Sequence, residues 1–243
     1  MKTVAIIPAG GSGRRMESET PKQYLLLAGL PVLVHTLKAF NLSAVVDEIF
    51  LAVPERDIPD VRRDIVLKYG ISKAVLVLAG GDRRQDSVSH ALAHVRDEQG
   101  IVIVHDGVRP FVSGELIDRA VAAAVECGAA AVGVPVKDTV KETDAAGRVI
   151  RTVAREGLWL TQTPQAFRRE IILTAYRRAA ADGFYGTDDA SLVERMGTPV
   201  RMIPGDWKNI KLTTPEDLRL GEVIDRCTSV FTYPPSPAGG KET

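Results

Sequence analysis

The sequence has no surplus of charge: Lys plus Arg and Asp plus Glu each number 31 in 243 residues. A general nucleic-acid or membrane-surface binder carries a basic excess, so both classes are disfavoured and any anion site must be built locally. Cysteine is nearly absent. Cys127 and Cys227 stand a hundred residues apart with no partner motif, and read as buried or incidental thiols of a reducing compartment. No apolar run approaches the length of a membrane span. The run VAII is too short for the core of a signal peptide, and Pro8 ends it. These absences point to the cytoplasm. What is present is an ordinary globular balance, 45% hydrophobic and 26% charged, in a chain long enough to bury a substantial core.

Short β-rich runs alternate with helical patterns. The runs are VAII (4–7), EIFLAV (48–53), AVLVLA (74–79), IVIVH (101–105) and AAAVGVPV (129–136). Between them, Val88, Ala91, Leu92 and Val95, and again Leu116, Ile117, Ala120, Val121 and Ala124, recur at helical spacing, the latter helix stopping at Gly128. Strands apolar on both faces alternating with helices predict a doubly wound, mostly parallel α/β sheet, with ligands bound beyond the carboxyl ends of its strands. Residues 137–155 break the pattern with two polar, β-branched arms around DAAG, a hairpin with too little apolar surface to stand alone. Helices are expected at 168–181 and 188–196, strands at VRMIP and NIKLT, and a helix start at Thr214-Pro215-Glu216-Asp217. Residues 1–228 are read as one domain that includes the hairpin arm, and 229–243 as a Pro/Gly-rich disordered tail.

The segment PAGGSGRRMESETPKQY (8–24) follows the first strand with three glycines, three cationic side chains and two prolines. Glycine lets backbone N–H groups approach phosphate oxygens, and Arg and Lys neutralise them. The competing reading is a flexible surface loop; placement directly after the first strand favours phosphate. A dinucleotide fingerprint is disfavoured, because the third glycine is missing, Pro21 cuts any helix short, and no acid occurs between Glu19 and Asp47. No G-x-x-x-x-G-K-[ST] occurs either.

PAGGSGRRM with PKQY resembles the opening of the sugar-nucleotidyltransferase superfamily and, more narrowly, of the 2-C-methyl-D-erythritol 4-phosphate cytidylyltransferase family. GGDRRQDSV (80–88), HDGVRPF (105–111), KDTVK (137–141), REGLW (155–159), TPQAF (163–167), TDDAS (187–191) and NIKLT (209–213) follow in register. The resemblance implies a Rossmann-like nucleotidyltransferase fold whose hairpin is a dimerisation arm. It implies CMP transfer from CTP to a sugar-alcohol phosphate by in-line attack on the α-phosphorus, with Mg²⁺ carried on the CTP phosphates.

Carried over residue by residue, the resemblance makes Arg15 and Lys22 the cations at the triphosphate. Pro8, Ala9, Gly10, Gly11, Ser12, Gly13, Gly81, Asp82, Ser87, Asp106 and Gly107 would form the CTP site. Asp106, Arg109, Thr139, Arg155, Thr163, Thr187 and Lys211 would hold the acceptor, with Arg155 and Lys211 also catalytic and Thr139 and Arg155 reaching a neighbour's site in a homodimer. Each has a bland competitor: solvated charge for the lone cations, a helix start for Asp82 and Ser87, a turn for Asp106, a strand-edge lysine for Lys211. His105 is read as structural. His90 and His94 have the spacing of a helical metal pair but lack the Glu of H-E-x-x-H, so they are read as a solvated face, with Ser87 and Asp97, and no protein metal site is assigned. Two other functions stay open, a ribitol 5-phosphate cytidylyltransferase, which Gly10 favours and Arg84 with Ser87 disfavours, and a nucleotide-binding module without catalysis.

Overall fold

β1 (Lys2–Pro8) is apolar on both faces because both are covered. Val4 and Ile6 enter one hydrophobic cluster, Ala5 and Ile7 the other, all at 0% exposure. The computed structural model describes residues 1–11, 16 and 20–230. After β1 come a 3-10 turn (Lys22–Tyr24), a minimal hairpin of β2 (Leu26–Leu27) and β3 (Leu30–Pro31), and α1 (Val32–Leu42). β4 (Glu48–Val53) leads through a second 3-10 turn (Glu55–Asp57) to α2 (Ile58–Asp60), which continues as a π-helical segment (Val61–Leu67), then β5 (Leu76–Ala79). α3 (Arg84–Leu92), β6 (Gln99–Val104), α4 (Gly114–Cys127) and β7 (Ala129–Pro135) follow, then the arm of β8 (Val140–Thr143) and β9 (Val149–Val153). β10 (Trp159–Arg168), α5 (Arg169–Ala181), α6 (Asp189–Arg195), β11 (Arg201–Pro204) and α7 (Pro215–Val230) complete the described chain.

The main sheet has the order β11-β7-β10-β6-β1-β4-β5, with β10 antiparallel to both neighbours and every other pair parallel. One face buries Leu37 and Phe40 of α1 and Ile117 of α4; the other buries Val88 of α3, Ile172 of α5 and Leu192 of α6. A side chain such as Ile103 or Phe167, fully buried here, contributes about 1.5–3 kcal/mol by leaving water. The strand order reverses between β1 and β6, which opens a crevice beyond their carboxyl ends. The two loops leaving that edge touch: Gly107 N donates to Pro8 O at 3.2 Å, and a Cβ on Gly107 would lie 3.0 Å from the Ala9 Cβ.

Local signals act where expected. The Ser113 hydroxyl accepts from Leu116 N at 3.2 Å to cap α4, and Gly128 ends that helix at φ +89°. Thr214 and Asp217 cap α7 reciprocally, Asp217 N to Thr214 Oγ1 at 3.3 Å and Thr214 N to Asp217 Oδ2 at 2.9 Å. Asp144 holds the DAAG turn by accepting from Ala146 N and Arg148 N, each at 2.9 Å.

Three expectations are corrected, and one strand was not foreseen. NIKLT is not a strand. Its backbone is held by cross-links, Arg109 Nη1 to Asn209 O at 2.8 Å and Leu212 N to Val108 O at 2.9 Å, rather than by a ladder. β10 is a full strand of the sheet that polar residues conceal, because Gln162, Thr163 and Gln165 are buried. Both cysteines are exposed, Cys127 at the last turn of α4 and Cys227 on α7, so the buried reading fails and the incidental one stays open. His90 and Ser87 do not share a solvated stripe: Ser87 is buried, and His94 lies past the end of α3. Of the tail read as 229–243, residues 229 and 230 belong to α7 and the rest lie outside the described residues.

Candidate active site

The crevice holds two pockets. The first, about 130 Å³, is walled by Pro8 at the end of β1 and Ala9, Gly10 and Gly11 after it, by Gly81 and Asp82 between β5 and α3, and by Ser87 of α3. Its closeness depends on glycine, since a Cβ on Gly81 would overlap the Asp86 Cβ. At Gly10 a methyl would meet nothing nearer than 4.0 Å, so alanine fits there equally well. The Lys22 side chain folds over the glycine loop: a Cβ on Gly11 would sit 3.5 Å from Lys22 Cε and 3.8 Å from Nζ. Among the described residues this pocket sets Lys22, Arg83, Arg84 and Lys211 against Asp82 and Asp106, a local cationic excess in a neutral chain. Arg15, Ser12 and Gly13 lie outside the described residues.

The second pocket, about 290 Å³, is lined by Arg109, Gln162, Thr163, Gln165, Thr187 and Asp188 among others, and shares Arg84, Asp106 and Lys211 with the first. Asp106 is thus the hinge of the site. Its carboxylate, 6% exposed, takes Arg84 Nε at 2.8 Å on Oδ1, and Lys211 Nζ at 3.0 Å and Arg109 Nε at 3.3 Å on Oδ2. Burial pushes this carboxyl up, but Arg84, Lys211 and Arg109 outweigh burial and hold it well below the usual carboxylate range. Arg84 also reaches Asp189 Oδ2 at 2.7 Å, and the Tyr176 hydroxyl donates to Asp189 Oδ1 at 2.5 Å. His105 is structural: fully buried, it meets Thr163 Oγ1 at 3.0 Å and Arg109 O at 3.2 Å, and burial lowers its pKa to about 3.

Several assigned side chains also make local contacts. Ser87 Oγ accepts from Gly81 N at 3.0 Å and donates to Arg83 O at 3.2 Å, so it shapes the glycine turn. Thr163 Oγ1 accepts from Asp106 N at 3.1 Å. Arg109 is committed to Asp106 and Asn209 O. Gly107 packs beneath the first pocket. Thr139 and Arg155 are exposed and line neither pocket; Arg155 donates to Lys137 O at the base of the arm. The arm itself is a separate two-stranded sheet with Val149 and Ile150 exposed.

Several residues of the two pockets carried no assignment from sequence, among them Arg84 and Gln23. Arg84 stands inside GGDRRQDSV and joins both pockets; Gln23 of PKQY lines the first pocket, 1% exposed, with neither amide atom hydrogen-bonded among the described residues. The motifs flagged both, but only the fold turns them inward. As for a metal, no cluster of three or more His, Cys, Asp or Glu occurs among the described residues, and Asp106 already balances three cations.

The profile of the 2-C-methyl-D-erythritol 4-phosphate cytidylyltransferase family matches residues 3–226. The chain belongs to that family. It is 52% identical over 223 residues to the 2-C-methyl-D-erythritol 4-phosphate cytidylyltransferase of Syntrophus aciditrophicus (strain SB), covering 92% of this chain and 95% of that protein. It is 49% identical over 226 residues to the one of Geotalea uraniireducens (strain Rf4), covering 92% and 97%. The crystal structure of 4-diphosphocytidyl-2C-methyl-D-erythritol synthase from Anaerococcus prevotii DSM 20548 superposes with a TM-score of 0.82 at 33% identity, over 93% of this chain and 96% of that one. Membership of this cytidylyltransferase family makes the chain a nucleotidyltransferase enzyme, and the fold its strands were expected to build is the one observed.

Proposed function

We propose that this enzyme transfers CMP from CTP to 2-C-methyl-D-erythritol 4-phosphate, giving 4-diphosphocytidyl-2-C-methyl-D-erythritol and pyrophosphate for isoprenoid precursor synthesis. The observation that carries this is the pair of pockets meeting at Arg84, Asp106 and Lys211. A nucleotide in the first pocket and a phosphorylated acceptor in the second would bring the acceptor's phosphate oxygen to the α-phosphorus. That oxygen forms the new P–O bond as the bond to the bridging oxygen of pyrophosphate breaks, the leaving group departing with both electrons. Such a displacement asks the protein for positioning and charge neutralisation. Lys22, with Arg15, neutralises the triphosphate; Lys211 serves both phosphates at the junction; Gly81 and Asp82 hold the nucleoside; Asp106 and Thr187 receive acceptor hydroxyls. Arg109 and Thr163 act by fixing Asp106. Mg²⁺ enters as the CTP chelate, a substrate rather than a resident ion, in keeping with a pocket whose buried carboxylate is already matched by cations.

The reading includes a single domain over 1–228 and a cytoplasmic homodimer in which the exposed arm brings Thr139 and Arg155 to the partner's acceptor pocket, without nucleic-acid or membrane partners. No helix among the described residues is long and apolar enough to cross a membrane. Pyrophosphate release from CTP with either 2-C-methyl-D-erythritol 4-phosphate or ribitol 5-phosphate, and with UTP replacing CTP, tests the reading. Turnover is expected with the methylerythritol acceptor and CTP alone; faster reaction with ribitol 5-phosphate, or equal rates with UTP, would overturn the acceptor or the base assignment.

A further inference from the structure

The start of α3 serves both pockets. Arg83 and Arg84 line the nucleotide pocket, and Arg84 lines the acceptor pocket as well. Three consecutive side chains there reach one target, the stretch between α5 and the first residue of α6, which carries Thr187 and Asp188 into the acceptor pocket. The Arg83 guanidinium lies 3.9 Å from the Tyr185 ring centre, and Arg84 pairs with Asp189 at 2.7 Å. The third is Gln85, which lines neither pocket.

Gln85 engages this stretch as a neighbouring strand would. Its amide nitrogen donates to Phe184 O at 3.0 Å, and its amide oxygen accepts from Gly186 N at 2.9 Å. No backbone–backbone bond ties Tyr185, Gly186 or Thr187 among the described residues, so one side chain stands in for a ladder that this irregular stretch does not form. Behind Gly186 there is no slack, because a Cβ there would overlap Ser191 Oγ and Leu192 Cδ2 of α6. On the other side of Thr187, Asp188 accepts from Gln165 Nε2 at 2.7 Å and from Ser191 N at 2.9 Å. Thr187 is therefore an exposed residue between two anchored ones, Gly186 held from α3 and Asp188 from β10 and α6.

We propose that Gln85 is a positioning residue for the acceptor: by bracing Phe184 and Gly186 it sets where Thr187 meets the sugar-alcohol phosphate. Without the brace the stretch samples more positions, and acceptor binding must order it, which weakens the acceptor and leaves CTP unaffected. The inference rests on the reading of Thr187 as a contact to an acceptor hydroxyl.

The test compares Gln85→Met with Gln85→Glu. Gln, Met and Glu have similar helix propensity, so α3 is kept in both. Methionine keeps the length of the side chain and loses both bonds; glutamate still accepts from Gly186 N but has no donor for Phe184 O. Gln85→Met should raise the acceptor KM about fivefold or more, with kcat, the CTP dissociation constant from calorimetry and the thermal midpoint near those of the unmodified enzyme. Gln85→Glu should fall between the two. Exchange of the Gly186 amide hydrogen, followed by NMR, should be about tenfold faster in Gln85→Met and stay slower in Gln85→Glu. In a Thr187→Ala background, itself raised in acceptor KM, Gln85→Met should add less than about a twofold further rise, since both changes act on one contact. An unchanged acceptor KM in Gln85→Met, a CTP affinity or thermal midpoint that falls along with it, or full additivity with Thr187→Ala would overturn the proposal. A normal acceptor KM in Thr187→Ala would overturn the route through Thr187. Absence of pyrophosphate release from the unmodified enzyme would sink the transferase reading and the acceptor role together, and Gly186 exchange, which needs no turnover, tells that failure from a missing brace.

Discussion

Replacing Arg84 by alanine leaves two buried carboxylates with unequal remaining support. Asp106 keeps Lys211 at 3.0 Å and Arg109 at 3.3 Å. Asp189, fully buried, keeps among the described residues only the Tyr176 hydroxyl at 2.5 Å and loses the guanidinium that stood 2.7 Å away. Removing one partner of a buried ion pair costs about 3–5 kcal/mol, because the survivor stays desolvated without compensation. Arg84 is 28% exposed, so water can replace part of its support and about 3–4 kcal/mol is expected at pH 7. For a chain of this size that lowers the melting temperature by about 6–16 °C. Adding Asp189→Asn to Arg84→Ala removes the stranded charge and should recover much of the loss. Urea unfolding followed by circular dichroism at pH 7 measures both losses. A single variant within about 1 kcal/mol of the parent, or a double variant less stable than Arg84→Ala, would refute this account of the network.

Lys22→Ala should slow CMP transfer about a hundredfold or more, the scale of losing one transition-state donor, with the unfolding midpoint unchanged; a near-normal rate would make Lys22 a solvated surface charge. Arg15→Ala carries the same expectation and the same readout. Lys22→Ala and Arg155→Ala chains unfolded and refolded together should regain roughly a quarter of parental activity, because half the dimers are mixed and each has one intact site of two; a mixture that stays inactive would exclude a site completed by the partner. Burial lowers the His105 pKa to about 3, so the folded ring stays neutral while the unfolded one protonates below its ordinary value near 6.5. Stability is therefore full above pH 6.5 and declines as pH falls towards 3, by about 2 kcal/mol for this group between pH 6.5 and 5. His105 ring resonances that shift between pH 8 and 5 would contradict the assignment.

The apolar runs 4–7, 48–53 and 129–136 announced their strands because both faces of each are buried, and burial on both faces leaves no polar alternation to confuse with a helix. Gly128, Thr214 and Asp217 marked helix ends through contacts within a few residues, which sequence alone can specify. The glycines and cations of the first loop, with the motifs in register behind it, named the chemistry in the same local way. β10 was hidden because its buried positions include Gln162, Thr163 and Gln165, polar side chains satisfied by partners such as Asp206 O, His105 and Asp188 from distant parts of the chain. NIKLT looked like a strand for the complementary reason, since its apolar residues pack under Val108 and its backbone bonds go to a loop. Residue types and spacings thus determined the α/β alternation and the helix boundaries, and raised the expectation of a phosphate-binding loop. Only the tertiary structure decided that Arg84 joins Asp106 to Asp189 and that Asp106 stands among three cations. Those facts depend on contacts between residues as far apart as 84 and 189, and no local pattern encodes which distant charge a buried side chain will meet.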